Sequence, residues 1–387
     1  MGAAHTACKV PGSQAGPHAP DWHRMTALLF TSDIYRGSAY GPKHPLVIQR
    51  VPATLDLIAA LGWLDPARQR ESAQADDAAL IRFHTPDYIA ALRQAEATQT
   101  ATEEMRRRHH IGAHGNSIYP RMFRRPATSA GGTISACRAV LDGGIAYNPG
   151  GGTHHGMPDR ASGFCFVNDP ALGILAWLDA GLDRVLYLDI DAHHGDGVEF
   201  AFAGDARVLT ISVHEAGRWP HTGTAHTDTA RNFPVPPDYN DSESAFLLDN
   251  AILPVAERFQ PQAVMLQCGA DALQEDPLAR LALSNNALWR VVRAVMPLAP
   301  RLVVLGGGGY NPYTVARAWA GVWATLNGLP LPATLPPAAE AVLRAQAYPR
   351  AAGKNPPEHW FTTLADAPRE GPVRDAVRAL AVRVLAG

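Results

Sequence analysis

No apolar run among the 387 residues approaches the roughly 20 that a membrane-spanning helix needs, so a transmembrane reading is excluded. Cysteine is scarce: Cys8, Cys137, Cys165 and Cys268 lie far apart and form no C-x-x-C pair. That excludes a disulfide scaffold, argues against a thiolate zinc site, and fits a reducing, cytoplasmic setting. The formal net charge of −2 exerts no whole-molecule pull toward nucleic acid, and no direct nucleic-acid binding is expected. No Ser/Gly-rich linker marks a boundary, so residues 26–387 read as a single domain. Residues 1–25 mix Gly, Pro, His and Ala without the apolar stretch of a secretory signal, and read as a mobile tail.

What is present is apolar sequence in quantity, 47% of residues against 18% charged, enough for a large α/β core. Continuous Val/Leu/Ile/Tyr runs predict strands at residues 27–31, 144–148, 184–190, 207–213, 263–267 and 301–305. Such runs, rather than strict alternation, suit strands buried on both faces. Helical patterns fall at 51–64, 86–97, 130–142, 170–180, 243–259, 285–299 and 312–327. The alternation predicts right-handed βαβ units in an open, mostly parallel α/β sheet flanked by helices. A TIM barrel is the alternative, disfavoured by uneven spacing and the lack of a repeat. Residues 98–126 read as irregular and too polar for core, with the basic run Arg106 to His110 as a solvated loop. A last helix is expected at 372–385.

Polar and Gly-rich clusters follow the ends of five of these strands: Gly150 to His155, Asp189 to Gly197, Ser212 to His214, Gln267 to Asp271 and Gly306 to Tyr310. In open α/β sheets ligands bind beyond the carboxyl ends of the strands, so the five converge on one site. Asp191 and His193, two apart, project to one side and offer two of the three protein ligands of an open catalytic zinc. Asp271 is the best-placed third. The competing reading of D-x-H is a capped strand end, against which stand the second carboxylate Asp189 and the following G-D-G. An Asp/His/Asp set leaves enough charge on a metal to polarise a carbonyl and acidify a water.

His154 and His155 are either ordinary loop histidines, metal ligands, or catalytic bases with Asp189 and Asp196 as one carboxylate each. Tyr310 is either a core aromatic or, after four glycines, a phenol donating to a developing oxyanion. Phe164 and Trp219 line a narrow channel or belong to the core, and Cys165 reads as a buried thiol.

These motifs resemble the zinc-dependent histone/lysine deacetylases, a superfamily that includes acetoin-utilisation proteins and acetylpolyamine amidohydrolases. The resemblance runs from about Tyr35 to Trp323 and rests on GGGTHH (Gly150 to His155), SGFCFVND (Ser162 to Asp169), DIDAHHGDG (Asp189 to Gly197), GADAL (Gly269 to Leu273) and GGGGYNP (Gly306 to Pro312). It implies an arginase-like fold, one zinc on Asp191, His193 and Asp271, and His155 as general base and then acid. It further implies His154 as electrostatic partner of the attacking water and Tyr310 as polariser of the carbonyl. Phe164, Trp219, Gly163, Gly308 and Leu278 fall to substrate binding, with Trp219 in place of the usual Phe narrowing the channel. Ser117, in a segment like the class II substrate loop, would contact the scissile amide. A structural potassium ion is implied on the Ser212 hydroxyl and the carbonyls of Asp189, Asp191, His193 and Val213, and Arg50 matches the arginine of the acetate-release cavity.

The expected activity is hydrolysis of the amide of an acyl-lysine protein or peptide. Three rivals stand beside it: a small acyl-amine amidohydrolase acting on acetylpolyamines, a non-catalytic acyl-lysine binder, and a manganese amidinohydrolase. The polyamine reading ranks lower because Arg106, Arg107, Arg108, Arg121, Arg124 and Arg125 predict a basic mouth. The sequence leaves a homo-oligomer open.

Overall fold

A computed structural model describes residues 26–36, 40, 41 and 43–386; the tail expected at 1–25 lies outside the described residues. Eight strands form one parallel sheet: β1 (Leu28–Thr31), β2 (Gln69–Glu71), β3 (Gly144–Asn148), β4 (Val185–Asp189), β5 (Val208–Glu215), β6 (Ala230–Val235), β7 (Ala263–Gln267) and β8 (Arg301–Leu305). Their order is β2-β1-β3-β8-β7-β4-β5-β6, and every pairing is parallel.

The central strands explain the unbroken apolar runs. On β4, Leu186 and Leu188 enter the core on one face while Val185 and Tyr187 enter the core on the other. β7 divides in the same way, Val264 and Leu266 against Ala263 and Met265. Both faces are covered by helices, so each position is worth roughly 1.5–3 kcal/mol of burial and polar alternation has no place.

The strands that the sequence reading misses, β2 and β6, are the two edges. β2 reads Gln-Arg-Glu and β6 carries Pro234, which edge strands tolerate because one side needs no ladder partner. The segment 243–259 is helical throughout but passes through a wide turn at Leu248–Ile252, just before Pro254. Proline supplies no N–H there, and a one-turn bulge accommodates it.

Residues 98–126 differ from expectation. Glu103–His109 is a helix capped by the Thr102 hydroxyl, so Arg106 to His109 are helical rather than loop. Met105, Ile111, Tyr119, Met122 and Phe123 are buried in a third core cluster with Tyr88, Leu92 and Phe166. The following helix, Arg124–Ala139, begins six residues earlier than the pattern predicts. Its first N–H groups are satisfied by a distant carboxylate: Glu96 Oε2 accepts from Phe123 N at 2.7 Å and Arg124 N at 3.0 Å. The C-terminal helix spans Asp375–Ala386. No helix among the described residues is long and apolar enough to cross a membrane.

Candidate metal centre and active site

β3, β8, β7 and β4 are consecutive in the sheet, and the loops after their carboxyl ends meet. Asp191 and His193 follow β4, Asp271 follows β7, Tyr310 follows β8, and His154 and His155 follow β3. Asp191, His193 and Asp271 are buried, and one potential ligand atom from each lies within 4.8 Å of the others. His193 Nδ1 is 2.9 Å from Asp271 Oδ2 and 3.3 Å from Asp191 Oδ1.

Glycine makes the cradle possible. A Cβ on Gly308 would sit 2.0 Å from Asp271 Oδ2 and 2.8 Å from Asp191 Oδ2, so no larger residue fits against the two carboxylates. The Gly308 N–H donates to Asp191 Oδ2 at 2.6 Å and Ala192 N–H to Asp271 Oδ1 at 3.0 Å. Burial raises the Asp271 carboxyl, reinforced by the charge of Asp191. Burial also works against ionisation of Asp191, but His154 and His193 outweigh it and hold that carboxyl below its ordinary range. His193 is pushed up to about 10: burial opposes its charge, and Asp191 and Asp271 prevail. Two buried carboxylates sharing one imidazole form an acidic site that a divalent cation would neutralise in place of that proton. The donor set and its cradle fit zinc.

Each neighbouring histidine has its own carboxylate. His154 Nδ1 lies 2.7 Å from Asp189 Oδ2, which also accepts from the Tyr187 hydroxyl at 2.8 Å. His155 Nδ1 lies 2.7 Å from Asp196 Oδ1. The two rings are 3.9 Å apart between centroids but differ in charge. Burial opposes a proton on His154, yet Asp189 and Asp191 raise its pKa to about 9. Burial and then the charge of His154 lower His155 to about 4, against the pull of Asp196. At neutral pH the pair therefore holds one imidazolium and one free base.

Two cavities meet here. An outer one of about 630 Å³ is lined by Trp219, Leu278 and Arg280 among others; an inner one of about 70 Å³ by Tyr35, Tyr40, Arg50 and Arg125. His155, Gly163, Phe164, His193 and Tyr310 line both, and so form the neck between them. Gly163 has φ +53°, and a Cβ there would fall 2.6 Å from His155 and 2.5 Å from Trp219. Phe164 stands 6.2 Å from Tyr310, edge to face, and Trp219 packs edge-on at 4.6 Å from His155. Trp219 is 41% exposed, a wall of the mouth and not core. Burial, then the charges of Asp271 and Asp191, raise the Tyr310 phenol well above its usual value, so it keeps its proton.

The remaining sequence-predicted residues are scattered around this neck. Arg50 donates to the Gly307 carbonyl at 2.6 Å and packs on Trp319. Ser117 lines neither cavity; the nearby Gly115 carbonyl instead meets His44, which stacks on Tyr40 and meets Phe164 edge to face. Ser212 Oγ lies 2.9 Å from His214 Nδ1, and Val213 is buried beside it. Cys165 is buried, and burial pushes its thiol well up, as befits an inert side chain.

The basic mouth is a correction. Arg106 donates to the Gly112 carbonyl, Arg108 pairs with Asp87, Arg121 reaches the Ile34 carbonyl, and Arg124 pairs with Glu96. None of them lines the outer cavity; Arg125 faces the inner one, and the arginines of the mouth are Arg218 and Arg280.

Several positioning residues escape sequence reasoning. Asp276 accepts from Tyr310 N at 2.6 Å and from Leu278 N at 2.8 Å, fixing both from one carboxylate. Asp169 gathers the Gly152 and Thr153 N–H groups and the Thr133 and Thr153 hydroxyls, and so shapes the loop that carries both histidines. Asp169 closes the SGFCFVND motif, whereas Asp276 lies outside every motif and carried no sequence signal.

Comparison with known proteins agrees with this geometry. The histone deacetylase domain profile matches residues 44–326. The acetoin utilization protein AcuC of Bacillus subtilis is 34% identical over 328 residues, covering 80% of this chain and 84% of its own length. Histone deacetylase 2 of Oryza sativa subsp. japonica is 38% identical over 294 residues, 72% of this chain. The chain spans 57% of that protein's length and 61% of a Caenorhabditis elegans relative's. A crystal structure of an HDAC homolog from Aquifex aeolicus superposes with a TM-score of 0.88 at 34% identity, covering 93% of this chain and 100% of that one. The chain therefore belongs to the histone deacetylase family, with AcuC and the histone deacetylases as relatives, and is built on the parallel-sheet fold of the Aquifex aeolicus homolog.

Proposed function

We propose that the protein is a zinc-dependent lysine deacylase that hydrolyses the amide of an acyl-lysine side chain. The observation that carries this reading is the neck itself, where a free imidazole, a protonated phenol and the Asp191–His193–Asp271 group converge between an open mouth and a small inner chamber. A zinc ion held by those three residues would polarise the acyl carbonyl and lower the pKa of the attacking water.

The protein's own groups do the rest. Phe164 and Trp219 flank the acyl-lysine stem. His155, neutral and steadied at Nδ1 by Asp196, takes the water's proton at Nε2 and returns it to the leaving amine. Tyr310 donates its O–H to the developing oxyanion. His154, protonated against Asp189, adds positive charge beside the attacking water. Gly163 and Gly308 let the walls approach closely enough for these contacts, and Leu278 closes the mouth. Ser117 would reach substrate only if the segment around it shifts toward the mouth. Arg50 receives the carboxylate product in the inner chamber.

A structural potassium ion fits Ser212. His214 donates from Nε2 to the Gly223 carbonyl at 3.1 Å, and burial keeps it neutral, so its Nδ1 accepts the Ser212 hydroxyl hydrogen. The lone pairs of Ser212 Oγ are thereby left for a cation, joined by carbonyls of Asp189, Asp191, His193 and Val213. The free, buried Cys137, Cys165 and Cys268 support a reducing, cytoplasmic setting. Side-by-side turnover of acyl-lysine peptides and acetylpolyamines, before and after chelation with zinc add-back, tests the reading. Undiminished activity after exhaustive chelation would refute zinc; no turnover of any acyl-lysine peptide would refute the substrate.

A further inference from the structure

The mouth carries a charge pattern that amide hydrolysis does not require. Among the residues lining the outer cavity the one carboxylate is Glu215, which is buried and fully engaged. Arg218 clamps it with Nε at 2.6 Å and Nη2 at 2.8 Å, and spends Nη1 on the Leu278 carbonyl at 2.7 Å. The charges of Glu215 and Arg218 thus cancel within the protein.

Arg280 is different. Its side chain is exposed, and among the described residues no carboxylate lies within ion-pair distance of its guanidinium. Its backbone, in contrast, is pinned on both sides. The N–H donates to Glu215 Oε2 at 2.7 Å, and the carbonyl accepts from Asp238 N at 2.7 Å. The loop is thus held at the backbone of Arg280, a residue of the cavity wall whose exposed guanidinium has no carboxylate partner among the described residues. The other titratable groups facing that space, His114 and His221 at the rim and His155 and His193 at the neck, are imidazoles, and Tyr310 is a protonated phenol. Among the described residues lining this space no carboxylate is left free for a cation, whereas Arg280 offers a carboxylate a two-pronged donor.

We propose that Arg280 selects substrates in which an acidic side chain flanks the acyl-lysine. The proposal rests on the acyl-lysine reading and adds the peptide context to it. It also disfavours acetylpolyamines, whose ammonium groups would meet Arg280 and find the one lining carboxylate, Glu215, already paired with Arg218.

The test compares kcat and KM for matched acetyl-lysine peptides carrying Asp, Ala or Lys beside the modified residue, with wild-type protein, Arg280→Ala and Arg280→Glu. Because the guanidinium has no partner among the described residues, both variants should fold. An exposed ion pair corresponds to roughly a two- to fivefold preference for Asp over Lys, expressed in KM. The preference should vanish in Arg280→Ala, invert in Arg280→Glu, and shrink at high salt, where screening acts within a few ångströms. Equal Asp-to-Lys ratios in wild type and Arg280→Ala would overturn the proposal while leaving the acyl-lysine reading intact. Turnover of acetylpolyamines and of none of the peptides would overturn both.

Discussion

Gly308→Ala isolates the metal cradle from every other feature of the site. The glycine does not occupy the left-handed region, so alanine meets no backbone penalty there. The new methyl would lie 2.0 Å from Asp271 Oδ2 and 2.6 Å from its Cγ, where a carbon–oxygen contact normally needs about 3.3 Å. Something must move by about 1 Å. The carboxylate has little room to retreat, since it is fully buried, its Oδ1 is tied to Ala192 N and its Oδ2 lies 2.9 Å from His193 Nδ1. Metal–ligand distances tolerate only about 0.2 Å. We expect metal affinity to fall by about 10–100-fold, as when a group that orients a ligand is lost, and kcat/KM by about 10² from the misplacement. Metal per chain after dialysis, a zinc titration against a competing chelator, and circular dichroism as the control for folding measure this together. A Gly308→Ala protein that keeps one tightly held zinc and full activity would refute the placement of the metal at Asp191, His193 and Asp271.

Three further outcomes follow from the same geometry. Tyr310→Phe should lower kcat by about 10²–10³ with metal content unchanged, and a kcat within a factor of two of wild type would show that the phenol donates nothing to the oxyanion. His84 is buried and neutral, its pKa lowered by burial from 6.5 to about 4, with Nε2 accepting from Asn168 N at 2.9 Å. Since the unfolded chain binds this proton first, the stability that His84 contributes is complete above pH 6.5 and is lost as the pH falls toward 4. That loss amounts to about 3 kcal/mol, and urea midpoints across this range should fall less steeply in His84→Asn; an identical slope would exclude it. Ser212→Ala should weaken the dependence of thermal stability on potassium over sodium, and an unaltered potassium response would remove Ser212 from the cation site.

Much of the catalytic neighbourhood was legible because its residues sit in short motifs directly after buried strands, where strand order alone brings loops together. Asp191 and His193 share a side because they are two apart at the end of β4. What was not legible depends on partners far away in sequence. The polar segment 98–126 read as loop, yet its apolar residues are spent against Tyr88 and Phe166, and the cap of the next helix comes from Glu96. The arginines of that segment suggested a basic mouth, but local carboxylates and carbonyls consume most of them.

By itself the sequence determined the α/β alternation, the sheet buried on both faces, and the candidate metal-binding and proton-transferring side chains, because hydrophobic period and residue chemistry are local properties. Only the tertiary structure decided which carboxylate serves which histidine, and therefore that His154 is charged while His155 is free. It also decided that Asp276 holds Tyr310 and Leu278, and that Arg218 and Arg280 rather than the arginines of residues 98–126 line the entrance. Those assignments depend on burial, and on distances of 2.6–2.8 Å between residues as many as 41 positions apart, which no spacing along the chain encodes.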